Sequence, residues 1–260
     1  MNVHFEYFPL VSIITVVRND IKNIEKTIVS VTSQSCHNIE YIVIDGLSTD
    51  GTVDVIERFR DKINVFISES DNGVYDAMNK GISLSRGRYV IFMNSGDTFH
   101  SHNSIKQMGL ENVSNYNTVV YGNVSVRYWD GVYVEKPHEF FNTIMKFKGI
   151  GICHQSMFFP GKIIRKMSYD LKYKIAADYD MAYKMWKSGV NFLYCDVIVA
   201  DYDWGNGISS NPRKLVDVYV ENARVCNQLY HPLFWAKVMM IYAKLLKEKI
   251  IKKNARNKIF

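Results

Sequence analysis

Glycine-rich phosphate loops, paired cysteines, long uncharged apolar runs and internal repeats are all missing from this chain of 260 residues. Its four cysteines, Cys36, Cys153, Cys195 and Cys226, stand far apart with no CxxC pair. That spacing argues against a disulfide framework and a zinc site, and points to a reduced, cytosolic chain. No uncharged apolar stretch reaches the ~18 residues needed to cross a bilayer. Met1 to Leu10 carries His4 and Glu6 and has no basic start before an apolar run, so no secretory signal is expected and the protein is expected on the cytoplasmic side. Net positive charge is confined to one segment: Pro232 to Phe260 holds seven Lys and one Arg against Glu248, a balance of +7 within a total of +6, leaving −1 for the rest. The folded body therefore lacks the basic face that nucleic-acid binding needs.

What is present is an alternation of strand and helix patterns. Val11 to Val17 is a β-branched run suited to a central parallel strand, and Asn19 or Asp20 offers an N-cap for a helix bearing Ile21, Ile24, Ile28 and Val31. Ile39 to Asp45 reads as a second strand, and Ser48 to Thr52 opens a helix with Val55, Ile56 and Phe59. Val65 to Ser68 is a third strand, Tyr75 to Ser85 a helix, and Tyr89 to Asn94 a fourth strand that runs into Ser95-Gly96-Asp97. Four repeats of strand and helix predict an α/β fold, a doubly wound, mostly parallel sheet with helices on both faces. No GxGxxG follows the first strand, where Arg18-Asn19-Asp20 stands instead, so a nicotinamide or flavin enzyme loses its main support.

Such sheets bind ligands at the carboxyl ends of their strands. Asp97 falls at one such end and suits a hard cation bridging phosphate oxygens, or else it caps a helix starting near Ser101. Asp45 ends the second strand, where an acid can accept hydrogen bonds from a ribose or a base, or simply finish a turn.

Together VSIITVVRN, IVIDGLSTDGT, SDNGVYDAMNKGI and GRYVIFMNSGD resemble the donor-binding half of the family 2 glycosyltransferases, which have the glycosyltransferase-A fold. The resemblance implies that Asp45, with the backbone around Thr15 and Val17, sits against the nucleoside of a sugar nucleotide, with a UDP-sugar favoured. It also implies that Asp71, Asn72 and Asn79 line the nucleotide cleft, joined by Asn94 and Ser95, and that Asp97, the last acid of an Asp-x-Asp motif, holds Mn or Mg on the diphosphate. Asn94 replaces that motif's first acid and Met78 stands where the family commonly has Arg, so Asp97 carries more of the metal binding. The Asn-Ser-Gly-Asp form is similar to a bacterial subgroup of surface-polysaccharide assembly.

The second half is less regular. Val119 to Arg127 and Gly131 to Glu135 read as strands joined at Trp129-Asp130-Gly131, and Phe140 to Lys148 as a surface helix or a sugar platform. His154-Gln155 precedes Met157 to Phe159; a histidine there is either a satisfied structural group or, as the resemblance implies, a group near the diphosphate or acceptor. Asp178 opens a helix with Met181, Met185 and Trp186 and is either its cap or, by resemblance to the family's acid-Asp pair, the catalytic base; Asp180 is the alternative. Asn191 to Ala200 is a strand and Asp201 to Ser209 a lid or plain connector.

The expected organisation is a catalytic domain over 1–210, with a donor half at 9–100 and an acceptor half at 101–210, then a helical basic extension over 211–260. In that extension Phe234, Trp235, Val238, Met239, Ile241, Tyr242, Leu245 and Leu246 follow helical spacing, which suits either an amphipathic helix lying on an anionic membrane through 232–260 or one packed on the domain. The expected function is an inverting transferase acting on a lipid-linked saccharide at the inner face of the cell membrane. A non-catalytic nucleotide-sugar-binding scaffold is the alternative from another class.

Overall fold

A computed structural model describes residues 8–137, 146–149, 151–203 and 214–256, with side chains as far as 244 in the last stretch. The first half alternates as β1 (Val11–Val17), α1 (Ile24–Thr32), β2 (Ile39–Asp45), α2 (Thr52–Glu57), β3 (Val65–Ser68), α3 (Val74–Leu84) and β4 (Tyr89–Phe92). It continues with β5 (Thr98–Phe99), α4 (Ser104–Gln107), β6 (Thr118–Tyr128), β7 (Gly131–Glu135), β8 (Met157–Pro160), α5 (Gly161–Met167), α6 (Ala177–Lys187), β9 (Asn191–Asp203), α7 (Leu215–Val225) and α8 (Pro232–Arg256). All seven residues of β1 are buried, as expected of a strand covered on both faces. Ile14, Val16, Ile42, Ile44 and Phe92 pack beneath α3, α6 and the C-terminal helices. Ile13, Val17, Tyr41 and Val43 pack on the other face against Ile24, Ile28 and Val31 of α1 and Val55 and Ile56 of α2. Each such side chain contributes about 1.5–3 kcal/mol by leaving water.

The sheet runs β3-β2-β1-β4-β8-β6-β9-β5, with β7 paired to β6. β1 to β4 are mutually parallel where they pair. β8 is antiparallel to both β4 and β6, and β9 runs parallel to β6. The direction of β8 decides where the site lies. Because it runs against its neighbours, its amino end lies at the edge where β1, β2, β4, β6 and β9 finish, so the short 3-10 turn His154–Ser156 that enters it joins that edge.

One expectation is corrected. The first helix starts at Ile24 rather than after Asn19 or Asp20, because the intervening residues are tied elsewhere. Asn19 N–H donates to Ser48 Oγ at 2.7 Å, Asp20 N–H to Thr52 Oγ1 at 2.9 Å and Ile21 N–H to Asp50 Oδ2 at 3.1 Å, which joins the ends of β1 and β2. The C-terminal helices also share the body's core, since Ala223, Cys226, Phe234 and Val238 are buried in the cluster that includes Phe92 and Phe159. Phe140 to Met145 and Trp204 to Ser209, read above as a surface helix and part of a lid, lie outside the described residues; Phe147 is buried in a 3-10 turn.

Candidate active site

The turn after β4 is built by its neighbours. Gly96 takes φ +101°, a conformation that suits glycine, and its N–H donates to Thr27 Oγ1 at 3.0 Å while that hydroxyl donates to Asp97 O at 2.8 Å. Ser95 Oγ donates to Asp20 Oδ2 at 2.7 Å. The carboxylate of Asp97 is thereby turned away from α4, which has Asn103 at its N-cap, so Asp97 is not a helix cap. It faces β8 instead, accepting from Gln155 Nε2 at 3.1 Å. Burial pushes its carboxyl up to about 6, against the opposing pull of the Gln155 hydrogen bond and of His154 and Lys26.

The neighbouring residue reaches the other acid. His154 Nε2 lies 3.1 Å from Asn94 Nδ2, and His154 Nδ1 lies 3.6 Å from Asp178 Oδ2. Asp97 and Asp178, far apart in sequence, thus touch consecutive residues of one turn. Asp178 stays partly open to solvent, with 29% of its side chain exposed. Asp180 points elsewhere: it is buried and pairs with Lys184 Nζ at 2.6 Å. Tyr75 and Tyr169 adjoin Asp178, and burial, then that charge, holds both phenols well above their ordinary range.

The other expected residues divide by what they already hold. Asp71 comes up to the end of β2 so closely that a methyl group at Gly46 would lie 2.3 Å from its Oδ2 and 3.2 Å from Arg18 Cδ. Asn72 is exposed beside it and donates to Asp76 Oδ2. Val17 ends β1 at this edge, whereas Thr15 is wholly buried two residues deeper and its hydroxyl donates to Met93 O at 2.7 Å. Asp45 is also wholly buried, accepting from Ser48 N–H and hydroxyl and from Ser68 Oγ, so it fixes the turn that carries the pocket. Asn79 is drawn out of the cleft, with Nδ2 donating to Tyr169 O at 2.9 Å and Oδ1 accepting from Tyr169 N–H at 2.7 Å. Met78, which stands where the resembled family commonly has Arg, is core.

For a hard cation the donors present are the Asp97 carboxylate and the Asn94 amide, whose Oδ1 is buried without a hydrogen-bond partner. Among the described residues no three His, Cys, Asp or Glu side chains gather as a metal-holding group. These two oxygen donors fit a Mg- or Mn-type ion that takes its remaining ligands from substrate phosphates and water.

Residues 12–173 match the family model described as glycosyl transferase family 2. The chain belongs to that family. It is a glycosyltransferase with the glycosyltransferase-A fold. Over 212 residues it is 27% identical to a PGL/p-HBAD biosynthesis glycosyltransferase of Mycobacterium tuberculosis, covering 78% of this chain and 80% of that one. Among solved structures the transferase is similar to S. aureus TarS 1–349 in complex with UDP-GlcNAc, with TM-score 0.63 and 16% identity, over 83% of this chain and 66% of that one. It is also similar to the mannosyltransferase PcManGT from Pyrobaculum calidifontis in complex with GDP-Man and Mn2+, with TM-score 0.64 and 14% identity, over 98% of this chain and 82% of that one.

The residue sequence reasoning missed is Glu221 of α7. Its carboxylate accepts the backbone N–H groups of Lys174, Ile175 and Ala176, at 3.0, 2.8 and 2.9 Å, just before the transferase's α6. The only local hint was negative: Ala176 and Ala177 leave α6 without a capping side chain of its own.

Proposed function

We propose that this transferase moves a sugar from a nucleoside diphosphate sugar, with a UDP-sugar favoured, to a hydroxyl of a lipid-linked saccharide in cell-surface polysaccharide assembly, with inversion at the anomeric carbon. The observation that carries the reading is the pair His154-Gln155, one touching Asp178 and the other Asp97, so that a buried acid and a partly exposed acid meet consecutive residues of one turn, which supports a phosphate side and a base side of one site. The relatives support the donor class, since TarS is seen with UDP-GlcNAc and PcManGT with GDP-Man and Mn2+. The mycobacterial relative, a PGL/p-HBAD biosynthesis glycosyltransferase, supports a biosynthetic transfer.

The nucleoside lies against Val17, Arg18 and Asp71 at the ends of β1 and β2, on the turn fixed by Asp45. The diphosphate lies toward Asn94, Ser95 and Asp97, and the sugar between these and Asp178. A Mn or Mg ion held by Asp97 and Asn94 supplies, when bound, positive charge that stabilises the departing diphosphate. Asp178 accepts the proton of the acceptor hydroxyl as its oxygen bonds to the anomeric carbon and the bond to the phosphate oxygen breaks. Attack from the face opposite the leaving group gives a β-linked product from an α-linked donor. His154, between Asn94 and Asp178, holds the base side against the phosphate side.

The C-terminal helix supports a membrane setting. Phe234, Val238 and Ile241 dock into the core, while Trp235, Met239 and Tyr242 on the adjacent ridge are 55%, 66% and 51% exposed, ahead of the basic end. That arrangement suits adsorption to an anionic leaflet. No helix of the described residues is long and apolar enough to cross a membrane.

The test compares Asp178→Asn with Asp180→Asn on a panel of sugar nucleotides with Mn. Asp178→Asn is expected to bind donor normally by calorimetry and to turn over about 10²–10⁴-fold more slowly. Asp180→Asn is expected to stay within a few-fold of wild type. Normal rates for the first variant would refute the assigned base.

A further inference from the structure

The segment that carries the base is held by three side chains from two elements, none of them local. From α3, Tyr75 Oη donates to Ile175 O at 2.6 Å, and the Asn79 amide grips both backbone groups of Tyr169. From α7, Glu221 takes three successive N–H groups at Lys174, Ile175 and Ala176. Asp178 follows two residues later, and its Oδ1 already accepts Tyr179 N–H at 2.8 Å, which leaves Oδ2 toward His154. The backbone from 174 to 178 therefore fixes where the reactive oxygen points.

The charge of Glu221 matters as much as its reach. Three N–H groups just before α6 converge on one carboxylate, beside the positive end of the helix dipole. Bonds to an ionised acceptor are about twice as strong as neutral ones. A glutamine at the same place offers one carbonyl oxygen and an N–H₂ group that repels the same donors.

We infer that Glu221 is a positioning residue for the catalytic base, a role that rests on the reading of Asp178 as base. Its carboxylate sets the height and tilt of the turn from which Asp178 projects, and the C-terminal helices are part of the catalytic apparatus rather than an attachment to it. Tyr75 acts on the same turn from the opposite side. Since a misplacement of about 1 Å can cost on the order of 10²-fold in rate, loosening this turn lowers kcat without touching the nucleotide pocket.

The experiment measures Glu221→Gln alone and combined with Asp178→Asn, at a temperature below both melting points. Alone, Glu221→Gln is expected to lower kcat by about 10–100-fold with donor KM unchanged. In the Asp178→Asn background it is expected to lower the residual rate no further, because residues acting as one unit are non-additive. An equal loss in both backgrounds marks a merely structural role and overturns the inference, as does an unchanged kcat for the single variant. If Glu221→Gln gives no cooperative melt, Tyr75→Phe takes its place under the same criteria, because it removes the bond to Ile175 O and little else. Normal turnover by the single Asp178→Asn variant is a different failure: it removes the base assignment itself and is read before either partner is changed.

Discussion

Replacing Asp97 by Asn should make this enzyme more stable at neutral pH while abolishing its activity. The carboxylate is 8% exposed, and burial raises its pKa from 3.8 to about 6. A raised carboxyl favours the folded state most when protonated, so its contribution is full below 3.8 and is lost as the pH rises through 6. At about 1.4 kcal/mol per pKa unit, holding the ionised form costs roughly 3 kcal/mol at neutral pH. The substituted amide carries no charge and keeps an oxygen for Gln155 Nε2. Thermal unfolding with chelator present should therefore show Asp97→Asn melting above wild type at about pH 7.5, by roughly 2–4 °C for each kcal/mol recovered. The advantage should shrink as the pH falls and vanish near pH 4. UDP with Mn should raise the wild-type melting point and leave that of Asp97→Asn unmoved, since only binding to the native form stabilises. A variant that melts at or below wild type by a pH-independent amount refutes the argument that a charge is being held in a dry place for use.

Two further outcomes test the nucleotide pocket and the helix. Gly46→Ala puts a methyl group 2.3 Å from Asp71 Oδ2, and that side chain cannot simply swing because its Oδ1 accepts Gly73 N–H at 2.8 Å. The expected cost is about 1–3 kcal/mol of stability and a roughly ten-fold weaker UDP affinity by calorimetry, with wild-type affinity refuting the placement of the nucleoside. Changing Trp235, Met239 and Tyr242 together to Ser should weaken cosedimentation with phosphatidylglycerol vesicles on the order of 100-fold, from the apolar area no longer buried. Unchanged binding would assign the attachment to charge alone.

The first half of the fold was legible because its information is local. Runs such as Val11 to Val17 and Tyr89 to Phe92 are buried on both faces, and the residues that end them are turn formers. The start of α1 was misplaced by the same locality: Asn19 and Asp20 are good caps in isolation, but Ser48 and Thr52 claim their backbone. Asp97 stood out as a candidate cation ligand from its place at a strand end, whereas Asp178 stood out as a base only through the family motif, since periodicity cannot tell Asp178 from Asp180. The structure separates them by a lysine one helical turn on, which takes Asp180 at 2.6 Å. Asn79 was read into the cleft because its true partner, the backbone of Tyr169, lies ninety residues away. Glu221 had no signature on its own helix, because what it satisfies are main-chain groups on another element.

That long-range clasp sets an order of events during synthesis. The pairing of β1 with β2 and β4, and of β2 with β3, is complete within the first 92 residues, so this edge of the sheet can form while the ribosome is still making the remainder. The loop holding Asp178 acquires its last three backbone bonds only once residue 221 has emerged. With Asp178 as the proposed base, a chain ended before α7 would lack the three bonds that aim it, which keeps sugar transfer silent until the C-terminal helices exist.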